Sequence, residues 1–175
     1  AERVYAPWID MEQQMRERSL PLFSLETFTE IKAFDFFGFS LQYEMIYSNV
    51  LNMLDLAGIP IWTRERREED PFILGGGPCV YNTEPICDFF DLFIIGEGEE
   101  TMEHFMDAYY AGLEAHLDRP ALLASLARVP GVYPTSVSRV ADPDEDVWLV
   151  RYAMDGVPCS VDVPIENGEP DGYLA

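Results

Sequence analysis

The chain has 175 residues, 32 acids against 11 bases, and a formal net charge of −21. A field of that sign repels nucleic acid and anionic lipid, so both are excluded as partners. With 48% hydrophobic and 13% aromatic residues, the composition is globular and sufficient for one ordinary core. In chain order, Arg3–Ala6 reads as a short strand stopped by Pro7. Asp10 and Gln13 form a capping-box pattern that opens a short polar helix to about Arg18, with Met11 and Met15 on one face. Leu22–Leu25 reads as a second short strand.

Asp35–Leu41 is almost wholly apolar, which predicts a strand buried on both faces of a parallel sheet. A helix follows over about 46–57, with Tyr47, Val50, Leu51 and Leu54 at helical spacing, ended by Gly58 and Pro60. The mixed charges of Arg64–Asp70 predict a solvated loop or helix end. Phe72–Leu74 and Leu92–Ile95 read as further buried strands, each ending in glycines. Met102, Phe105, Met106, Tyr109, Tyr110 and Leu113 then mark an amphipathic helix, and Pro120 opens another to about Arg128. From Val132 the pattern changes. Ser136–Val140 and Val147–Tyr152 predict an antiparallel hairpin around the acidic turn Asp142–Asp146, and the tail from Asp155 reads as extended or linker-like.

Buried strands alternating with helices predict an α/β domain over residues 1–131, with a mostly parallel sheet and helices on both faces. A small β-rich, acidic extension occupies residues 132–175. In parallel sheets, ligands bind beyond the carboxyl ends of the strands. Three loops then share one edge: Ser40-Leu41-Gln42-Tyr43-Glu44, Gly75-Gly76-Gly77-Pro78-Cys79 and Gly96-Glu97-Gly98-Glu99-Glu100.

The chemistry of these loops is restrictive. No lysine follows the triple glycine, and no lysine or arginine occurs between Arg67 and Arg119, which argues against a nucleoside triphosphate site. Gly96-Glu97-Gly98 has only half of a dinucleotide fingerprint. Glu99 and Glu100 suit a helix start, where they complement the dipole and would compete with an anionic ligand. Cys79 has no histidine near it in sequence and reads as structural, as does Cys87. Three cysteines without a C-x-x-C pair exclude a disulfide framework and a zinc site, and they predict reduced thiols in a cytoplasmic protein. His104 and His116 read as solvated helix residues. No apolar run approaches a membrane span and no signal peptide opens the chain. The chain begins without Met, in what reads as a strand, and is expected to be a piece of a longer polypeptide. What the glycines offer is access, since residues without Cβ let a broad ligand lie against the backbone.

Together, G-F-S-L-Q-Y-E at 38–44, G-G-G-P-C at 75–79 and D-F-F-D-L-F-I-I-G-E-G-E-E-T at 88–101 resemble the cobalamin-binding-type domain preceding the catalytic barrel of many radical S-adenosylmethionine proteins. A-P-W-I-D-M-E, L-F-S-L-E and N-V-L-N-M-L-D-L-A-G-I-P strengthen the resemblance to an uncharacterised subgroup, over roughly residues 1–135. The resemblance implies a flavodoxin-like (Rossmann-like) fold with a five-stranded parallel sheet. It implies cobalamin over the carboxyl edge, near Ser40, Leu41, Gln42, Gly75, Gly76, Gly77, Pro78, Gly96, Glu97, Gly98 and Glu99. Ser40 and Gly75-Gly76 match the family's serine and glycine pair, whereas Gln42 replaces its leucine, and the D-x-H-x-x-G segment that carries the cobalt-ligating histidine is absent. Either the first strand and helix, central in that topology, lie outside the chain, or the domain has kept the fold and lost the cofactor. The C-x-x-x-C-x-x-C motif is also absent, so the 4Fe-4S cluster and S-adenosylmethionine are expected in a separate catalytic domain, the implied partner.

These readings lead to an accessory domain of a radical SAM protein, itself not catalytic. The alternative is a non-catalytic interaction module that docks on the catalytic domain through Val132–Ala175. A third option, a free-standing enzyme, would use Cys79 or the Glu97–Glu100 cluster.

Overall fold

The computed structural model describes residues 1–135 except Glu84 and Glu97, and beyond them the strand backbones within 137–170. Its first sheet contains β1 (Phe36–Ser40), β2 (Phe72–Gly76), β3 (Leu92–Ile94) and β4 (Val132–Pro134), in that order. β1, β2 and β3 are parallel neighbours, with Phe36 opposite Phe72 and Leu74 opposite Leu92. β4 is antiparallel to β3, so the described sheet has three parallel strands and one reversed strand where the resemblance implied five parallel ones. Val132–Pro134, read from sequence as the head of the C-terminal extension, belongs to this sheet.

Side-chain alternation along the strands builds two cores. Phe37, Ile73 and Phe93 face α1 (Ile9–Arg18) and α2 (Tyr47–Leu56), where Met15, Val50, Met53 and Leu54 are buried. Phe72, Leu74 and Leu92 face α3 (Gly98–Glu114) and α4 (Arg119–Leu126), where they meet Phe105, Tyr109, Leu122 and Leu126. Helices therefore cover both faces, as the α/β reading predicted. Gly58 ends α2 at φ +66°, and Ile59 N–H returns to the Leu54 carbonyl at 3.0 Å, the expected glycine stop. Gly112 lets α3 approach α4, because a Cβ there would strike the Leu122 side chain.

Several local expectations change. β1 is not buried on both faces: Phe36 and Phe39 are half-buried and Gly38 is exposed, because β1 pairs with β2 alone among the described strands. Residues 3–6 join no described sheet; Leu25 N–H donates to the Arg3 carbonyl at 2.9 Å. Leu22–Leu25 contributes one antiparallel bridge, Phe23 with Glu30, rather than a strand. α1 begins before the expected cap. Asp10 accepts only from its neighbour Met11 N–H, and Gln13 reaches forward to Glu17 instead of back. Met15 is buried but Met11 is exposed.

The second sheet has β5 (Val137–Ala141), β6 (Val147–Met154), β7 (Val157–Glu166) and β8 (Glu169–Pro170), all antiparallel neighbours. β5 and β6 are the expected hairpin, with Val137 opposite Tyr152, while its acidic turn at 142–146 lies outside the described residues. Within the tail, Val157–Glu166 and Glu169–Pro170 are extended backbone paired as strands. Val157, Cys159, Val161, Val163 and Ile165 alternate with small or polar residues and prolines, a period-2 pattern that outweighs the turn-forming composition.

The largest correction concerns the charge run Arg64–Asp70. Arg66 and Asp70 are buried, and they belong to a network centred on Asp91, at the amino ends of β2 and β3. Asp91 Oδ2 accepts from Arg66 Nη1 at 2.8 Å and from Ile73 N–H at 2.7 Å, and Oδ1 accepts from Arg119 Nη2 at 3.1 Å. Arg66 also donates to the carbonyls of Pro60, Ile61 and Phe89. Arg119 donates to the Asp70 and Pro71 carbonyls and stacks on Phe72, 4.0 Å from the ring centre. Burial pulls the Arg66 guanidinium down from its ordinary value, and Asp91 opposes that pull.

Asp91→Ala leaves two buried guanidiniums without their carboxylate. Its expected cost is about 3–5 kcal/mol in urea unfolding. Asp70 gives a pH signature. Burial raises its pKa, but the Arg67 N–H bond and Lys32 outweigh this and hold it below the ordinary carboxylate value. The folded state therefore holds the Asp70 charge more tightly than the unfolded chain, whose value is about 3.9. That stabilisation is present above the unfolded value and lost as pH falls through the folded one. The urea midpoint should fall on acidification below about pH 4, and the fall should be shallower in Asp70→Asn.

Candidate functional site at the carboxyl edge

Because β1, β2 and β3 are parallel and adjacent, their carboxyl ends form one edge. The loop after β1 turns inward at Leu41, which is fully buried. Its N–H donates to the Gly76 carbonyl at 2.6 Å, and its carbonyl accepts from Cys79 N–H at 3.0 Å. Ser40 and Gln42, on either side, are exposed and joined by a bond from Gln42 Nε2 to Ser40 Oγ at 2.7 Å. The first and second loops are thus stitched together through the Leu41 backbone.

The three glycines after β2 do different work. A Cβ at Gly75 would lie 2.5 Å from the Phe93 ring, so this glycine makes room for core packing. Gly77 has φ +100°, and a Cβ there would lie 2.9 Å from the Leu41 carbonyl oxygen. It makes room for the neighbouring backbone. A Cβ at Gly76 would meet the Ile94 carbonyl only at 4.0 Å, an ordinary contact. Gly96, at φ +97°, and Gly98 have nothing within 4 Å of the Cβ position. Open backbone at this edge is therefore offered by Gly96 and Gly98, while Gly76 is half-buried with room for a Cβ at contact distance.

Pro78 opens the 3₁₀ turn Pro78–Tyr81 and is exposed. Glu99 and Glu100 are exposed in the first turn of α3, and Glu97 lies outside the described residues. The three loops contain no lysine or arginine. Sequence reasoning missed Tyr47, whose hydroxyl is buried near Cys79 without a well-formed hydrogen bond. Burial, then Cys79 and Glu44, push its pKa up. Its helical spacing had marked it only as core. His104 is an exposed residue of α3, and His116 is exposed just beyond that helix. Among the described residues, no group of three or more His, Cys, Asp or Glu could hold a metal ion.

A cavity of about 950 Å³ lies elsewhere, along β1 between Val4 and the helices, and Ser40 is the one expected site residue that lines it. The edge loops and the cavity are distinct features.

The fold is that of an α/β domain, a mostly parallel sheet covered by helices on both faces. Residues 1–134 match the family model for radical SAM proteins, N-terminal, and the chain belongs to that family. It is 36% identical over 87 residues to an uncharacterized protein of Methanocaldococcus jannaschii. That match covers 48% of this chain and 18% of the relative, so it spans less than a fifth of that protein's length. No solved structure matches the chain. Among the described residues, no helix is long and apolar enough to cross a membrane.

Gly77→Ala combines a positive φ with a backbone clash, and should cost about 1–3 kcal/mol of stability. Gly98→Ala, at an open helix start, should stay within about 0.5 kcal/mol of the parent. Urea midpoints of the two variants check the contrast.

Proposed function

We propose that this N-terminal domain receives a broad, uncharged or cationic ligand of the corrinoid type at its carboxyl edge and presents it to a radical SAM catalytic domain of the full-length protein. The observation that carries the reading is open backbone at Gly96 and Gly98 after β3 and the exposed Ser40–Gln42 pair after β1, on one sheet edge, with no lysine or arginine in any of the three loops. Ser40, Gln42 and the Gly96 and Gly98 backbones would hold the ligand. A bound corrinoid would supply alkyl-transfer or redox chemistry. The residues at the edge supply binding surface only, and the chain contains no D-x-H-x-x-G segment to ligate cobalt from below. The 4Fe-4S cluster and S-adenosylmethionine belong, in this reading, to the catalytic domain.

A second reading, a cofactor-free module that docks on the catalytic domain, is favoured by the use of Gly75 and Gly77 for packing.

Gel filtration of the full-length protein after incubation with hydroxocobalamin separates the two. The first reading expects corrin absorbance to co-elute, and retention to fall at least about tenfold in Gly98→Val, whose side chain would enter open space. Absence of retention by the full-length protein overturns the first reading. Crosslinks from Val132–Ala175 to the catalytic domain in unloaded protein would then support the second, and crosslinks confined to the 75–101 loops would count against it.

A further inference from the structure

α1 and α2 lie side by side and run in the same direction. Asn52 Nδ2 donates to Glu12 Oε2 at 2.9 Å, and Arg16 donates to Asn52 Oδ1 at 2.7 Å and to Asp55 Oδ2 at 2.8 Å. Their far ends also meet, where Leu22 N–H, after α1, donates to the Leu56 carbonyl at 3.0 Å. Glu12 stands about one turn into α1 and Asn52 about one and a half turns into α2, so the two helices start at nearly the same level. α2 leaves the carboxyl end of β1 through the turn Glu44–Ile46. The start of α1 is therefore at the carboxyl edge too, and a fourth loop, Pro7–Ile9, joins the three already described.

The side chains at these two helix starts are large and apolar, and they stand out into solvent. Trp8 is 78% exposed, Ile9 72%, Tyr43 56% and Met45 84%. A single exposed apolar side chain is ordinary, but four at neighbouring helix starts make a patch. Its composition is that of a protein interface, where Trp, Tyr and Met are enriched and Lys is depleted. Its shape is wrong for a small molecule, whose site is concave and buries most of the ligand. The open backbone of Gly96 and Gly98 lies on the other side of β2, after β3. The edge thus has two zones, a floor of glycine backbone towards β3 and projecting apolar side chains towards β1.

We infer that Trp8, Ile9, Tyr43 and Met45 are the seat on which the radical SAM catalytic domain of the full-length protein docks, leaving the Gly96–Gly98 side of the edge to a ligand. This rests on the reading that such a domain accompanies this one, and it holds with or without a bound corrinoid. The four side chains offer on the order of 500 Å² of exposed apolar surface. That is more than half of the ~800 Å² that one partner buries in a standard interface. Chain for the partner is ample in the family, since the matched stretch is 18% of the relative. A second copy is a poor occupant, because two chains of net charge −21 repel each other.

The test puts the photo-crosslinker p-benzoylphenylalanine in place of Trp8 or Met45 in the full-length protein, and in place of Phe28 as the control. Phe28 is 72% exposed but belongs to the turn between Leu22 and Ile31, at the far ends of α1 and α2. Irradiation without corrinoid should link positions 8 and 45, but not position 28, to segments outside residues 1–175. Absence of links from either position, or equal linking from position 28, overturns the inference. Links to a second copy, detected by mixing isotopically labelled and unlabelled protein, overturn it as well. With the crosslinker in place of Tyr43, Trp8→Ala combined with Met45→Ala should cut linking at least about tenfold, because two anchors are gone. Unchanged linking there would count against the seat. Retention of hydroxocobalamin is scored separately. Lost retention with the links intact removes the corrinoid reading alone, and retained corrin without the links removes this inference alone.

Discussion

One buried carboxylate organises the amino side of the sheet. Asp91 lies between Phe90 and Leu92, two fully buried side chains, where an unpaired charge would be untenable. It is satisfied by Arg66 from the loop before β2, by Arg119 from the start of α4 and by the backbone of β2 itself. Those three partners come from segments far apart in the chain. Each arginine spends its remaining donors on carbonyls of turns that have no strand or helix to pair with, so the network closes those turns as well as joining them. The arrangement is costly to desolvate and leaves few alternative arrangements that satisfy it, which favours one register of β2 against β3.

With the amino ends so fixed, the carboxyl ends are available for variation. The Leu41 backbone ties the first loop to the second, and the glycines divide between making that tie possible and leaving open surface. The three loops at this edge carry Glu44, Glu97, Glu99 and Glu100 and no lysine or arginine.

Much of this was legible from the residues. Apolar runs ending in glycine located β2 and β3, helical spacing located α2 and α3, and the hairpin of β5 and β6 followed from two β-rich runs around an acidic turn. The resemblance placed the chain in its family without the structure. What misled was composition read locally. Arg66 and Asp70 sit among five other charges and look solvated, yet their partners Asp91 and Lys32 lie 25 and 38 positions away. The clue was present in Asp91 itself, an acid inside an apolar run that requires a basic partner. Tyr47 was hidden in the same way, because helical spacing shows that a side chain is covered but not whether its hydroxyl finds a partner.

The sequence by itself determined the element types, the order of buried strands and helices, and the chemical character of the edge loops, because these depend on local periodicity and on which residue types occur at all. Only the tertiary structure decided that Gly75 and Gly77 serve packing while Gly96 and Gly98 face open space, and that β1 has β2 as its one neighbour among the described strands. Those distinctions depend on which atoms from distant segments come within contact distance, and no spacing along the chain encodes that.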